Sequence, residues 1–465
     1  ITSAILRSAP SLPDLDSAQL PQLLTRQYAE LVSARLKGEG EGAASDDGWS
    51  LDRIADAYEI IASLEEIPDL RRAAAFVAGT AQQIIARRPK EPGGEDLFSL
   101  LDRDSVDASV AAAVLFLAAE QYADANEAGA AIPRSSGPYE IRVLADHVRD
   151  LVRGRLDAVL QRASRWRRDE PIRGTIQNRA LRNLAVALAE GIELLAADMM
   201  SVAIPAATPT RFASAQDAFR TVIELASYVE DSATEALGGE LRTAYPGPAH
   251  LASMLLSASG AIGGAALTKL PSPEGANLEF WNRWLSFRAK ETPFIWQNHR
   301  EAIEKGFYKT GTSAVLVLPT GAGKTTASVL KIAGVLARGK KVVFLAPTHA
   351  LVEQLTEDLQ AIFPKAEFGL EVSSDFDSLL LDDAQLQDIE VMTPERCLAM
   401  LSFSASSFQN VGLLVFDECH LLSPQSGKIG RSLDGMLCLL AFRSAAINAD
   451  MLFLSAMLRN GPEFA

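Results

Sequence analysis

The stretch Ala314-Val-Leu-Val-Leu-Pro-Thr-Gly-Ala-Gly-Lys-Thr-Thr326 decides the fold of this chain's second half. Its first five residues are apolar and uncharged, as in a strand buried in a parallel sheet. Pro319 ends the run, Gly321 and Gly323 permit a tight turn, and a helical pattern follows. A strand, a glycine-containing turn and a helix N-terminus together make an anion site. Backbone N–H groups point inward there, and the helix dipole favours negative charge. On this reading Thr320, Gly321, Ala322, Gly323, Lys324, Thr325 and Thr326 cradle the phosphates of ATP. Lys324 reaches the β- and γ-phosphates, and the Thr325 hydroxyl ligates Mg²⁺. The four-residue-gap phosphate-loop pattern calls for Gly where this chain has Leu318.

Outward from that stretch, short β-branched or aliphatic runs recur at 313–318, 341–346, 389–392, 413–416 and 451–454, with amphipathic helical stretches between most of them. Apolar strands alternating with helices predict a parallel sheet covered on both faces. One run, Leu413-Leu-Val-Phe-Asp-Glu-Cys-His420, ends in two carboxylates at the strand's C-terminal edge, where open α/β sheets bind ligands. Asp417 is expected to hold the metal, and Glu418 to orient and deprotonate an attacking water. Alone, such a pair is equally a capped strand end. Behind a phosphate loop it reads as catalytic, with Lys324, Asp417, Glu418 and His420 as the set.

With these two motifs placed, residues 290–465 resemble the first RecA-like lobe of a superfamily 2 DExH-box helicase. Thr-Pro-Glu-Arg396, the Leu-Leu after His420 and Leu454-Ser-Ala-Met-Leu-Arg-Asn460 look most like its Ski-like branch. Six blocks match in order. Phe294-Ile-Trp-Gln-Asn-His-Arg300 resembles the Gln motif, which implies that Gln297 reads the adenine edge and that Phe294 or Trp296 stacks on the ring. The phosphate loop follows. Ala346-Pro-Thr-His349 and Met392-Thr-Pro-Glu395 resemble the strand-binding motifs Ia and Ib, which assigns Pro347, Thr348, Thr393 and Pro394 to nucleic acid. Hydroxyls at a turn into a helix suit phosphate contacts without base reading; taken alone Thr348 and Thr393 read as ordinary N-caps, but in this order of motifs the nucleic-acid role is the better reading. Phe416–His420 matches motif II, and Leu454–Met457 matches motif III, which implies that Ser455 and Met457 couple nucleotide state to strand movement. The family's usual Thr is replaced by Met457, and that puts the coupling in doubt.

Before residue 275 the chain is rich in Ala, Leu and Arg. Apolar spacings of three and four predict helices near 16–36, 51–64, 69–87, 105–125, 140–166, 177–200, 211–228 and 247–258. The expected fold class is α + α/β: a large all-helical domain over 1–275, then a RecA-like P-loop NTPase lobe with a parallel β-sheet over 276–465. Within 140–182 eleven arginines face six acids, a local 11 − 6 = +5 in a chain whose net charge is −15. Arg162, Arg165, Trp166, Arg167 and Arg168 read either as a solvated face with ion pairs at helical spacing or as a guide for a strand. Trp281 and Trp284 are expected to anchor the two halves against each other. The acidic balance argues against sequence-independent nucleic-acid binding over the whole surface.

No uncharged apolar run is long enough to span a bilayer. Cys397, Cys419 and Cys438 make no disulfide framework, and with an ATP motif they point to the cytoplasm. The start at Ile1 reads as a trimmed chain. The end at Ala465 follows motif III closely, so the family's second RecA-like lobe is expected in a remainder or a partner subunit. That lobe supplies arginine fingers, which contribute about 10³–10⁵ in rate, so residues 1–465 alone are expected to bind nucleotide but hydrolyse it poorly. The reading is an ATP-dependent helicase or translocase acting on single-stranded or partly duplex DNA or RNA, with the helical half as an accessory or protein-binding domain. The alternative is a nucleotide-gated scaffold, or a motor subunit of a restriction or phage-defence complex, that does not unwind strands.

Overall fold

The computed structural model describes residues 29, 33, 50–87, 100–135, 137–166, 175–204, 210–230, 240–318, 324–374, 385–422 and 429–456. Most of the expected helix at 16–36, the turn 319–323, residues Arg167 and Arg168, and Met457 lie outside the described residues. Two compact units form: Ile1–Lys269 with Ala289–Gln297, and Leu270–Arg288 with Asn298–Ala465.

The first unit is built from helices α1 (Leu51–Leu64), α2 (Pro68–Ala86), α3 (Ala108–Ala118), α4 (Tyr122–Ala131), α5 (Tyr139–Val152), α6 (Leu156–Trp166), α7 (Ile176–Met200), α8 (Ala215–Leu225) and α9 (Pro246–Ile262). Their starts follow from local chemistry. Ser50, Asp107, Thr175 and Ser214 each accept a hydrogen bond from a backbone N–H of the first turn they precede. Helix α3 is apolar on all sides, and nearly all of it is buried among α2, α4 and α9. Gly79 of α2 lets that helix approach, since a Cβ there would meet the Phe116 ring at 3.1 Å.

Two expected helices are each divided in two. The periodicity at 105–125 runs through Glu120, but that residue takes φ 58° and starts a new direction. The span 140–166 turns at Gly154, φ 69°, where a side chain would also press on Pro293 and Phe294. Apolar spacing continues across both breaks because the helices on either side face the same core. The first unit is also not all-helical: β1 (Ser227–Glu230) pairs antiparallel with β2 (Glu240–Thr243). The expected helix at 211–228 ends at Leu225 because the chain after Ala226 finds cross-strand partners. Trp166 is buried, and its indole donates to Glu193 Oε1 at 2.5 Å, so it offers no stacking face.

An ion pair ties α9 to α1, with His250 Nε2 2.5 Å from Glu59 Oε2. Burial opposes the charge on His250, but the hydrogen bond and charge of Glu59, aided by Asp56, raise its pKa above the ordinary value. The sign follows directly. A raised folded-state value stabilises the fold fully below the unfolded value of about 6.5, and the contribution is lost as pH rises through the folded value. The His250 side chain is 37% exposed, so water screens the pair and the slope is shallow. Thermal melting from about pH 6 to 9 should show the wild type losing this increment and His250→Gln showing no such loss.

In the second unit, α10 (Leu278–Ala289) and α11 (Gln297–Glu304) precede a six-stranded, wholly parallel sheet. Its strands are β3 (Ala314–Val317), β4 (Lys341–Leu345), β5 (Val372–Ser373), β6 (Ile389–Met392), β7 (Val411–Phe416) and β8 (Asp450–Ser455), in the order β3-β8-β7-β4-β6-β5. The helices between them are α12 (Lys324–Leu336), α13 (His349–Ile362), α14 (Lys365–Phe368), α15 (Pro394–Ser404) and α16 (Ile429–Ala445). Central strands β4, β6 and β7 are mostly apolar and almost entirely buried; so is Glu390 of β6, which accepts from the Gln387 amide. Lys331 of α12 is fully buried and donates to the carbonyls of Lys309 and Thr312, with Asp450 3.5 Å away. It thereby secures the turn that feeds β3.

Three residues apart, Trp281 and Trp284 share one face of α10 and pack inside the second unit. Trp281 lies parallel to Tyr308 at 6.1 Å, and Trp284 parallel to Phe363 at 5.7 Å.

Candidate active site

Strand order places the catalytic motifs along one edge of the sheet. At their C-terminal ends β3 leads to the phosphate-loop turn, β8 ends at Ser455, β7 delivers Asp417 and Glu418, β4 delivers Pro347 and Thr348, and β6 delivers Thr393 and Pro394. All six strands run the same way, so the C-terminal ends of these strands lie along the same edge. Parallel pairing carries the sequence to the site: Leu318 N–H donates to Ser455 O at 3.1 Å, and Asp417 N–H donates to Leu345 O at 3.0 Å.

Thr320, Gly321, Ala322 and Gly323 lie outside the described residues. Lys324 and Thr325 open α12, and Thr326 is exposed in its first turn. The Lys324 ammonium donates to Glu418 Oε1 at 2.9 Å, with the two side chains 14% and 29% exposed. The other Glu418 oxygen lies 3.1 Å from His420 Nδ1. That ring nitrogen is also 3.5 Å from the Ser455 hydroxyl, whose residue is buried. Lys324, Glu418, His420 and Ser455 thus form one connected polar set from three segments of the chain.

Glu418 takes φ 51°, the left-handed region that non-glycine residues rarely adopt. Such a conformation costs on the order of 1–3 kcal/mol and persists where surrounding structure imposes it. Here it turns the backbone out of β7, and the Glu418 amide donates to Asp417 Oδ1 at 2.9 Å. Burial raises the Asp417 pKa, and the neighbouring Glu418 charge raises it further against the opposing pull of that amide, Lys324 and His420. A half-buried carboxylate beside a second one is a hard oxygen donor short of positive charge, which fits a Mg²⁺ ion. Thr325 and Asp417 are the residues that would hold it. Burial, with Glu418 and Asp417 alongside, pushes the Cys419 thiol up to about 12, so it stays protonated. All three cysteines are buried and free.

Thr348 is exposed and caps α13 by accepting from Leu351 N–H at 3.4 Å. Thr393 caps α15 by accepting from Arg396 N–H at 3.3 Å, and both Thr393 and Pro394 are buried. The capping account therefore holds at both turns, and only the first keeps its hydroxyl accessible. Gln297 is exposed at the start of α11, in the segment 289–297 that packs with the helical unit. In that segment Ile295 N–H donates to Ala265 O, and the Phe294 ring stacks on Tyr122 at 4.7 Å. One face of Phe294 is thus taken by protein rather than free for adenine. Sequence reasoning named Lys324 and Glu418 separately and missed their mutual pairing, for which no local signal exists.

Residues 296–463 match the family model DEAD/DEAH box helicase. The ATP-dependent DNA helicase Hel308 of Pyrococcus horikoshii is 32% identical over 171 residues, 36% of this chain and 22% of that protein. The ATP-dependent RNA helicase DBP6 of Eremothecium gossypii is 31% identical over 134 residues, 27% of this chain and 22% of that protein. Among solved structures, the DUF1998 helicase MrfA aligns over 41% of this chain and 31% of its own, with 21% identity and a TM-score of 0.33. The chain thus spans about a fifth of the length of the curated relatives it matches. Residues 296–463 are a DEAD/DEAH box helicase domain, the first RecA-like lobe of the superfamily 2 kind.

Proposed function

We propose that this protein is an ATP-dependent helicase or translocase that moves along a nucleic-acid strand. The observation that carries the reading is the Lys324–Glu418 ion pair, which joins the first turn of α12 to the end of β7. In this pair the ammonium occupies one oxygen of the carboxylate. Entering phosphates compete for Lys324 and release Glu418, which then accepts a proton from the attacking water. Nucleotide binding therefore arms its own general base. Asp417 and Thr325 would hold a Mg²⁺ ion, which would neutralise charge at the phosphates. His420 links the freed carboxylate to Ser455 on β8, a route by which phosphate occupancy alters the sheet edge.

Pro347 and Thr348, one strand away from Glu418, contact the strand's backbone, and the buried Thr393 and Pro394 shape the neighbouring turn. A second RecA-like lobe, in the same polypeptide or a partner, completes the nucleotide site. Relatives named for DNA and for RNA match this domain alike, and backbone contacts suit either polymer. Phosphate release by the full-length protein with its second lobe, measured with no polymer and with single-stranded DNA or RNA, tests the reading. One polymer should stimulate turnover by about tenfold or more. Equal rates in all three conditions would overturn it.

A further inference from the structure

We propose that an arginine-lined cavity in the helical unit binds phosphate oxyanions, and that these belong to the backbone of a nucleic-acid strand. The cavity measures about 690 Å³ and lies between the 132–135 loop, α5 and α6. Six guanidiniums line it, from Arg134, Arg142, Arg149, Arg153, Arg155 and Arg162, against the carboxylates of Asp146 and Asp150. The balance is 6 − 2 = +4, within a chain of net charge −15.

Local structure assembles this set. Helix α5 stacks Arg142, Asp146, Arg149 and Asp150 at spacings of three and four, and the left-handed turn at Gly154 sets Arg153 and Arg155 on either side of the reversal. Both carboxylates are already engaged: Arg149 Nη1 pairs with Asp146 at 2.8 Å, and Arg162 Nη2 pairs with Asp150 at 2.5 Å. Arg153 donates to Asn126 Oδ1, a neutral group. Arg134, Arg142 and Arg155 are exposed and make no ion pair among the described residues. Four guanidinium forks thus converge on one concavity without a counter-charge, and planar forks of this kind match phosphate oxygens two at a time.

The arrangement selects a strand over a single small anion. The cavity, at about 690 Å³, is far larger than one phosphate, and its uncompensated forks come from the 132–135 loop, from α5 and from both sides of the Gly154 turn. The lining contributes only Ala130 and Ile132 as apolar surface, which leaves no slot for a base. Recognition is therefore of successive backbone phosphates without base reading. The buried Trp166 adds no stacking. All of these residues belong to the helical unit, so the inference stands or falls separately from the nucleotide chemistry.

The test is anisotropy of fluorescein-labelled single-stranded DNA and RNA with the full chain, at about 50 and 200 mM salt. Arg134→Gln/Arg155→Gln removes two unpaired charges from the cavity. Arg165→Gln/Arg220→Gln removes two exposed charges of the same unit outside it. The cavity variant should bind about tenfold more weakly, with the salt slope reduced by roughly 1–2, and the control should bind as wild type does. Unchanged affinity in the cavity variant, or equal losses in both, overturns the proposal. Inorganic tripolyphosphate serves as the soluble competitor. If it binds through these arginines and the strands do not, the strand assignment is overturned in favour of a soluble polyphosphate. Lys324→Ala should keep the arginine-dependent strand binding even where it abolishes nucleotide binding. Loss of both would mean that the cavity is no separate site.

Discussion

Lys324→Ala is expected to lose at least about 100-fold in affinity for a nucleoside triphosphate, and with it all turnover. The argument rests on two effects of the same sign. Removing the ammonium deletes a charge-assisted contact to phosphate, a contribution of roughly 1.5–3 kcal/mol, and about 2.7 kcal/mol already corresponds to 100-fold. It also frees Glu418 Oε1, which now sits 2.9 Å from Lys324 Nζ and would face the incoming phosphates with no ammonium between. Like charges brought together in a partly desolvated site repel, so the loss exceeds that of the contact alone. Titration of a fluorescent ATP analogue measures the affinity. Because Glu418 keeps His420 Nδ1 at 3.1 Å when the ammonium is removed, the variant should melt within a few degrees of wild type, which separates lost binding from lost fold. A folded Lys324→Ala that binds within threefold of wild type would sink the phosphate-loop reading.

Glu418→Gln is expected to separate binding from chemistry in the opposite way. The amide keeps the shape of the carboxylate and can still contact Lys324, but it cannot take a proton. Loss of a general base costs on the order of 10²–10⁴ in rate. Nucleotide affinity should hold or rise, because phosphates no longer compete with a full negative charge for the ammonium. Single-turnover hydrolysis set beside equilibrium titration reads both quantities. A variant that hydrolyses at the wild-type rate shows that the base lies elsewhere. Lost affinity alongside lost rate shows instead that Glu418 holds Lys324 in its binding position.

The two expectations use one ion pair that no stretch of sequence displays. Lys324 and Glu418 are 94 positions apart, and each is recognisable only by its own neighbours. The basic region at 140–182 shows the same limit. Its excess of arginine was countable, but which arginines are neutralised was not, since Asp150 takes Arg162 from another helix and Glu140 takes Arg182 across 42 positions. Arg134 lies outside the counted stretch altogether and enters the cavity because the loop before α5 folds back over that helix. Trp281 and Trp284 were legible as buried anchors, whereas the surface they bury against was not, since Tyr308 and Phe363 come to them from separate helical connections.

By itself the sequence determined most of the succession of helices and the parallel sheet, and it named the strand ends at which phosphate chemistry is proposed. These depend on short-range physics: apolar periodicity, capping hydroxyls, glycines at a tight turn and carboxylates at a strand end. The strands β4, β6 and β7 were readable to within two residues, because burial on both faces favours apolar runs. Tertiary structure alone decided the strand order that brings five strand ends to one edge, the left-handed Glu418 that aims its carboxylate at Lys324, and the commitment of Phe294 to Tyr122. It also decided that Thr393 is buried while Thr348 stays accessible. The physical reason is the same throughout: which polar group meets which depends on how distant segments pack, and packing is settled by the sum of many burial contacts rather than by the residues beside the group itself.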